Sequence, residues 1–407
     1  MIQGKVKLVV DLGNSSTKCA ILYKKSTEDK EKVIEFESMN EFGMMLDEDA
    51  VVKYINEYDD RTSTVLKNGG ATYCNGELQR INYASSAIRP SASFKKYLHE
   101  GTPLVFKLAF LKATRIIMNL EGVTSPTQLD LEWTVVTLLP PGDIDAGREK
   151  LTEVIKSIDE VWAVHPDMYI VLKDKDDEGK QVVFDRIGNV VVLPEGLCAY
   201  MAIVFDTGRV VRPKYKYLTQ ETVLVLDIGA GTTDFVLIKS NKLVQGSKNS
   251  INIGCNNVTS KVKMEVNKEG FTVNRNSLAD TISKGYIRQG AKTIDISDTI
   301  QSVKTRLGME LKNNIIEYFE SGQIDPSEIG YIIICGGGSV DDESGIKSLG
   351  NYVVEAFKQV IPNTELIEAP IHKVCRCDEQ YNIKEVEEVI SPRELNLVGA
   401  CIMAETV

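Results

Sequence analysis

One stretch of this chain occurs twice, and the duplication limits what the chain can fold into more than any other feature. Residues 8–22 read LVVDLGNSSTKCAIL and residues 224–238 read LVLDIGAGTTDFVLI. Laid over each other without a gap, they share Leu8/Leu224, Val9/Val225, Asp11/Asp227, Gly13/Gly229 and Thr17/Thr233. Half of the remaining positions exchange one aliphatic for another. Each copy reads as an apolar strand, a turn of small residues and a second apolar strand. Self-similarity of this length points to two equivalent units in one chain.

The aspartates carry the chemistry. A carboxylate that ends a buried strand costs desolvation free energy unless a cation or a donor meets it. The turns that follow, Gly13 to Thr17 and Gly229 to Thr233, are built of residues that let backbone N–H groups converge into an anion-binding nest. A strand follows each turn. That excludes the dinucleotide fold, which places a helix there, and no Gly-Lys-Ser/Thr is present for a P-loop. Two such hairpins facing each other would grip a polyphosphate, with Asp11 and Asp227 holding a hydrated magnesium ion between them. The plainer reading, two ordinary glycine hairpins, is disfavoured by the gapless match.

Bulk properties narrow the setting. The chain has 407 residues, 43% of them apolar and 26% charged, enough for two to three domains. A net charge of -11 argues against direct nucleic-acid binding. The longest apolar run, Leu197 to Phe205, is too short for a membrane span. The first residues show neither a signal-peptide pattern nor an amphipathic anchor, so a cytoplasmic protein is expected. The eight cysteines are scattered, as reduced thiols are. Only His372, Cys375 and Cys377 approach metal spacing, and they lack a second ligand pair.

Between the hairpins, Val33 to Glu37 alternates like a strand, and residues 40–100 are polar and rich in turn signals, suiting a small insertion. Thr102 and Pro103 open a long amphipathic helix. Leu129 to Leu139 reads as a strand, Asp145 to Ile158 as a helix, and Met168 to Leu172 and Val182 to Leu193 as strands around a charged turn, Lys173 to Lys180. Glu195 then stands where a strand meets a helix. It is either an acid favoured by the helix dipole or a carboxylate aimed at the cleft to position water. Residues 251–329 read as mostly helical, with a long segment from Ile296 to Phe319. Gly336, Gly337, Gly338 and Ser339 follow a buried strand at the end where α/β proteins place ligands; a bland tight turn is the alternative. Ser391 and Glu394 form a capping-box pattern with Pro392 at N1, opening a last helix, Leu395 to Glu405.

Taken in order, DLGNSSTK from Asp11, PEGL from Pro194, DIGAGTTD from Asp227, ICGGGS from Ile334 and LNLVGA from Leu395 resemble the five nucleotide motifs of the actin, sugar kinase and heat-shock chaperone ATPase superfamily. The compact length and closing motif look most like the bacterial plasmid-segregation actins of the ParM and Alp type. The resemblance implies an α/β, actin-like ATPase fold: two ribonuclease H-like domains around a nucleotide cleft. Domain I would span 1–205 with an insertion at about 40–100, completed by the helix 392–407. Domain II would span 206–391 with an insertion at about 251–329. Asp11 and Asp227 would order magnesium through its waters. Gly13, Asn14, Ser15, Ser16, Thr17 and Lys18, and Gly229, Ala230, Gly231, Thr232, Thr233 and Asp234, would contact the phosphates. Gly336, Gly337 and Gly338 would face the adenosine, and Lys304 and Arg306 stand as candidates for base contacts. Glu195 would be catalytic by polarising the attacking water, and Asp11 and Asp227 would count as catalytic with it through the magnesium they order.

The implied function is an ATP- or GTP-dependent filament that hydrolyses its nucleotide and separates plasmid copies with a centromere-bound adaptor protein, without membrane or direct DNA contact. The competing functions are a small-molecule kinase of the same superfamily, a chaperone, a cell-shape actin and a non-catalytic scaffold. No phosphoryl-acceptor signature favours the kinase. Both aspartates are retained, which speaks against the scaffold.

Overall fold

The computed structural model describes all of the chain except residues 14–16, 39, 46, 59–62, 84–86, 89–94, 173–184, 272–277 and 407. Each copy of the repeated stretch folds as an antiparallel hairpin. In the first, Ile2–Leu12 pairs with Thr17–Tyr23, setting Asp11 opposite Lys18. In the second, Thr222–Ile228 pairs with Thr233–Lys239, setting Asp227 opposite Asp234. On its other edge each leading strand gains a parallel neighbour from far along the chain. This is Leu129–Leu139 for the first hairpin and Tyr331–Cys335 for the second. The two units share this core topology as well as their sequence.

The first sheet has seven strands, in the order 186–194, 129–139, 2–12, 17–23, 32–38, 371–377 and 383–389. The last two strands lie in the segment that sequence reasoning assigned to the second domain. They join the first sheet because Cys375 and Arg376 pair in parallel with Ile34 and Glu35. The sheet around the second hairpin has six strands, completed by 242–243, 249–251 and 365–366. A separate six-stranded sheet gathers strands from 42–88 with 160–165 and 168–171.

The twofold side-chain period of a strand decides what each face buries. In the first hairpin Leu8, Val10, Cys19 and Ile21 pack against the long helix Thr102–Glu121, which begins at the predicted Thr102-Pro103 pair. Val9, Ala20 and Leu22 face the opposite way, onto Cys198, Leu397, Ala400 and Cys401. In the second hairpin Val223, Val225 and Val236 pack on Ala199, Ile203, Val398 and Ile402. The helices Leu197–Val204 and Leu395–Ala404 are thus sandwiched between the two sheets. Asp11 lies two residues beyond Val9, and Asp227 two beyond Val225. Both carboxylates are therefore carried on the faces turned toward these central helices.

One local expectation changes. The capping box at Ser391 does not form: the helix starts at Leu395, and the Glu394 carboxylate accepts from Arg376 (2.8 Å). The segment is held otherwise, with the Pro392 carbonyl accepting from Gly336 N–H (3.0 Å) and the Arg393 carbonyl from the Lys18 ammonium. The charged turn at 173–180 lies outside the described residues. No described helix is long and apolar enough to cross a membrane.

Candidate functional site

The site forms where the leading strands of the two hairpins end beside the head of the helix Leu197–Val204. Asp11 ends its strand 7% exposed. Glu195, 6% exposed, follows the strand Arg186–Pro194 and is fixed by its N–H donating to the Leu139 carbonyl (2.9 Å). Between them reaches Lys96, from the short 3-10 helix Lys96–Leu98. Its ammonium donates to the Leu12 carbonyl (2.5 Å) and stands 3.8 Å from Glu195 Oε1.

Four carboxylates surround this lysine. Burial, which alone would lower the Lys96 pKa, is outweighed by Glu195, Asp11, Asp234 and Asp227, and the ammonium is held above its usual range. Burial pushes Glu195 well above the normal glutamate value, with Lys96 only partly opposing it. Asp11 is raised by burial against the pull of Lys18 and Lys96. Asp227 is raised by burial and then by Asp11, against the Asn396 amide and the two lysines. Asp234 is pushed up to about 7 by burial and Asp227, and its Oδ1 has no partner among the described residues. The cluster gathers more carboxyl groups than lysines, an arrangement that a bound cation would favour in its charged form.

Of the two turns, the second is described throughout. In the second, Gly229 N–H donates to the Thr232 carbonyl (2.9 Å). The carbonyls of Gly229 and Ala230 accept from Cys255 (3.1 Å) and Asn256 (2.7 Å), at the start of the helix Cys255–Lys268. With those carbonyls engaged, the N–H groups of Ala230, Gly231 and Thr232 have no partner among the described residues, leaving a half-exposed nest. Thr233 is turned inward, its hydroxyl donating to the Ile253 carbonyl (2.7 Å). In the first turn, Gly13 accepts from the Asn40 amide (2.7 Å), and Asn14, Ser15 and Ser16 lie outside the described residues. Thr17 is fully buried and its hydroxyl has no described partner.

The glycine run plays a packing part. Gly336 has φ 82°, and a Cβ there would fall 2.3 Å from Asp227 Oδ1. At Gly338 it would fall 2.3 Å from Ile228 Cγ2, whereas Gly337 is exposed with open space around it. Only Gly in this backbone lets the turn close on Asp227. The candidate base contacts are engaged elsewhere: Lys304 donates to Asp342 (2.6 Å) and the Lys347 carbonyl (2.8 Å), and Arg306 pairs with Glu265 (3.2 Å). His372, Cys375 and Cys377 lie on one strand, where the twofold period sends His372 to the face opposite the two cysteines.

Magnesium suits the donor set. The acidic groups offer hard oxygens, yet among the described residues no three His, Cys, Asp or Glu side chains converge closely enough to ligate a metal directly. Hard carboxylate oxygens are the donor type that magnesium takes.

Sequence reasoning missed Lys96 and Asn396. Lys96 sits in a polar stretch with no motif to mark it. Asn396 lies inside the quoted closing motif, but nothing local reveals what its amide reaches: Asp227 Oδ2 at 2.5 Å and the Gly196 N–H at 3.0 Å.

Two equivalent hairpin sheets, helices sandwiched between them and an acidic site at their junction define the actin-like ATPase fold. More particularly, residues 225–345 match the family model described as archaeal actin homologue MreB-like, C-terminal. The archaeal actin homolog Ta0583 superposes with a TM-score of 0.61 at 15% identity, over 99% of this chain and 100% of its own. The actin-like protein Alp7A gives 0.60 at 16% identity, over 100% and 97%. A ParM from a 15-stranded filament of Clostridium botulinum gives 0.57 at 15% identity, over 99% of each chain. A search of curated proteins finds no match.

Proposed function

We propose that this chain is an actin-like ATPase that binds ATP or GTP with magnesium between its hairpins, assembles with copies of itself into filaments and hydrolyses the nucleotide there. The observation that carries the proposal is the gathering of Asp11, Glu195, Asp227 and Asp234 around Lys96 at the junction of the two hairpins. Structures of similar fold support it: Ta0583 was crystallised with ADP, Bacillus thuringiensis ParM was solved with AMPPNP, and the C. botulinum ParM is a filament.

Asp11 and Asp227 would hold the hydrated ion, which when bound offsets charge on the phosphates. Gly13 to Lys18 and Gly229 to Asp234 would line the phosphate groove, the free N–H groups at 230–232 donating to phosphate oxygens. Glu195, made more basic by burial, would accept a proton from the attacking water, and the Lys96 ammonium beside it favours its charged form and opposes that rise in part. Gly336, Gly337 and Gly338 would bound the nucleoside end. The finer role is plasmid segregation through a centromere-binding adaptor, with the protein cytoplasmic.

Sedimentation and electron microscopy with ATP, GTP and ADP test this. ATP- or GTP-dependent polymer is expected, with phosphate release per subunit rising with protein concentration. A concentration-independent rate without polymer would favour a small-molecule kinase. Glu195→Ala should bind nucleotide and assemble while releasing phosphate about 100-fold more slowly. Undiminished release would remove Glu195 from the chemistry.

A further inference from the structure

The two pseudo-equivalent aspartates are supported differently. Asp11 is met by the charges of Lys18 and Lys96, and no hydrogen bond to its side chain comes from the described residues. Asp227 is met by a neutral amide. Asn396, 6% exposed near the start of the helix Leu395–Ala404, donates from Nδ2 to Asp227 Oδ2 and accepts the Gly196 N–H on Oδ1. A carboxylate can only accept and an N–H can only donate, so both contacts can be made with just one orientation of the amide. The side chain is therefore clamped at both ends. One end holds an acid of the second hairpin, and the other holds the residue next to Glu195, which follows the strand Arg186–Pro194 of the first sheet. Nearby, Gly399 packs directly on Cys198, tying the same two helices together. The other oxygen of Asp227 is boxed in by Gly336.

We propose, on the reading of the site given above, that Asn396 is a positioning residue that sets the metal end of the site. It aims Asp227 at the magnesium waters and locks that carboxylate to the Glu195 loop. The metal-facing geometry then depends on how the helix Leu395–Ala404 sits, and any shift of that helix loosens Asp227 and Glu195 together. Partners that orient a metal-holding carboxylate are worth about 10- to 100-fold in metal affinity.

The test measures binding, not turnover. A fluorescent ATP analogue is bound to the full chain, and its dissociation is followed against magnesium concentration, then in EDTA. Asn396→Leu, close in shape, and Asn396→Ser, small and polar in case the leucine variant does not fold, should each raise the half-saturating magnesium concentration about tenfold or more. Affinity in EDTA should stay within about twofold, because the amide touches no nucleotide group in this scheme. A magnesium requirement unchanged in a folded variant overturns the role of Asn396. So does a parallel loss of affinity in EDTA, which would mark a purely structural contact. If the unaltered protein itself shows no magnesium-dependent nucleotide binding, the underlying reading of the site fails instead.

Discussion

Replacing Gly399 with alanine sets two physical effects against each other, and the structure decides which prevails. Gly399 lies inside the helix Leu395–Ala404, where alanine's propensity alone would stabilise by about 1 kcal/mol. Yet a Cβ at this position would lie 1.7 Å from the Cys198 carbonyl oxygen, 2.4 Å from its carbonyl carbon and 2.9 Å from its Cα. All three are backbone atoms of a buried helix, so no side chain can swing aside. Restoring ordinary contact at roughly 3.5 Å requires the helices to part by about 1.5 Å or more. Overpacking of this kind costs about 1–3 kcal/mol. The same movement stretches the Asn396 contacts to Gly196 and Asp227, now 3.0 and 2.5 Å, beyond hydrogen-bonding range. Losing a hydrogen bond to a charged group adds about 1.5–3 kcal/mol. The net expectation is a loss of about 1.5–5 kcal/mol, the sum of these terms less the propensity gain. Urea unfolding followed by circular dichroism and by the fluorescence of Trp133 and Trp162 measures it. Midpoints are compared because a chain of this size need not unfold in two states, and a drop of about 1 M urea is expected. Gly70→Ala serves as the control, since nothing lies within 4 Å of its Cβ position. A Gly399→Ala protein that unfolds at the same or a higher urea concentration would refute the close approach and the clamping of Asn396.

Two further expectations concern charge. Lys96→Met keeps the length of the side chain but removes the cation shared by four carboxylates, so single-turnover phosphate release should slow about 10²- to 10³-fold. An unchanged rate would limit Lys96 to a structural role. Glu35, 6% exposed, is pushed up to about 7 by burial and by Glu394, against the pull of Arg376. Because the folded state holds this proton more tightly than the unfolded chain, the resulting stability is full below the unfolded pKa of about 4.5 and is lost as pH rises through about 7. Glu35→Gln should therefore be more stable than the unaltered protein at pH 8, by about 2–3 kcal/mol, with the gap closing near pH 5. Parallel unfolding curves across that range would show that Glu35 titrates normally.

Much of the fold was legible because it is written in local periodicity. The strand Leu129–Leu139 has the bounds its alternation suggests, and the helices Thr102–Glu121 and Ser297–Ser321 fall close to their apolar patterns. The twofold strand period puts each aspartate on the face of the valine two residues before it, but only the packing shows that this face meets the central helices. The motif at Ser391 misled because a capping box is a local preference, and here longer-range bonds took its parts: Arg376 binds Glu394, and the Arg393 carbonyl accepts from Lys18.

What the sequence determined by itself, then, is the pair of hairpins, their acidic ends and the amphipathic helices that cover them, since strand and helix periods act over a few residues. Tertiary structure alone decided which distant groups meet those acids. Lys96 reaches a carbonyl 84 residues away, Asn396 an aspartate 169 residues away, and the strands 371–389 cross back to the first sheet. Those choices follow from burial. Desolvated carboxylates must find a cation or an amide, and only the folded chain determines which one lies within reach.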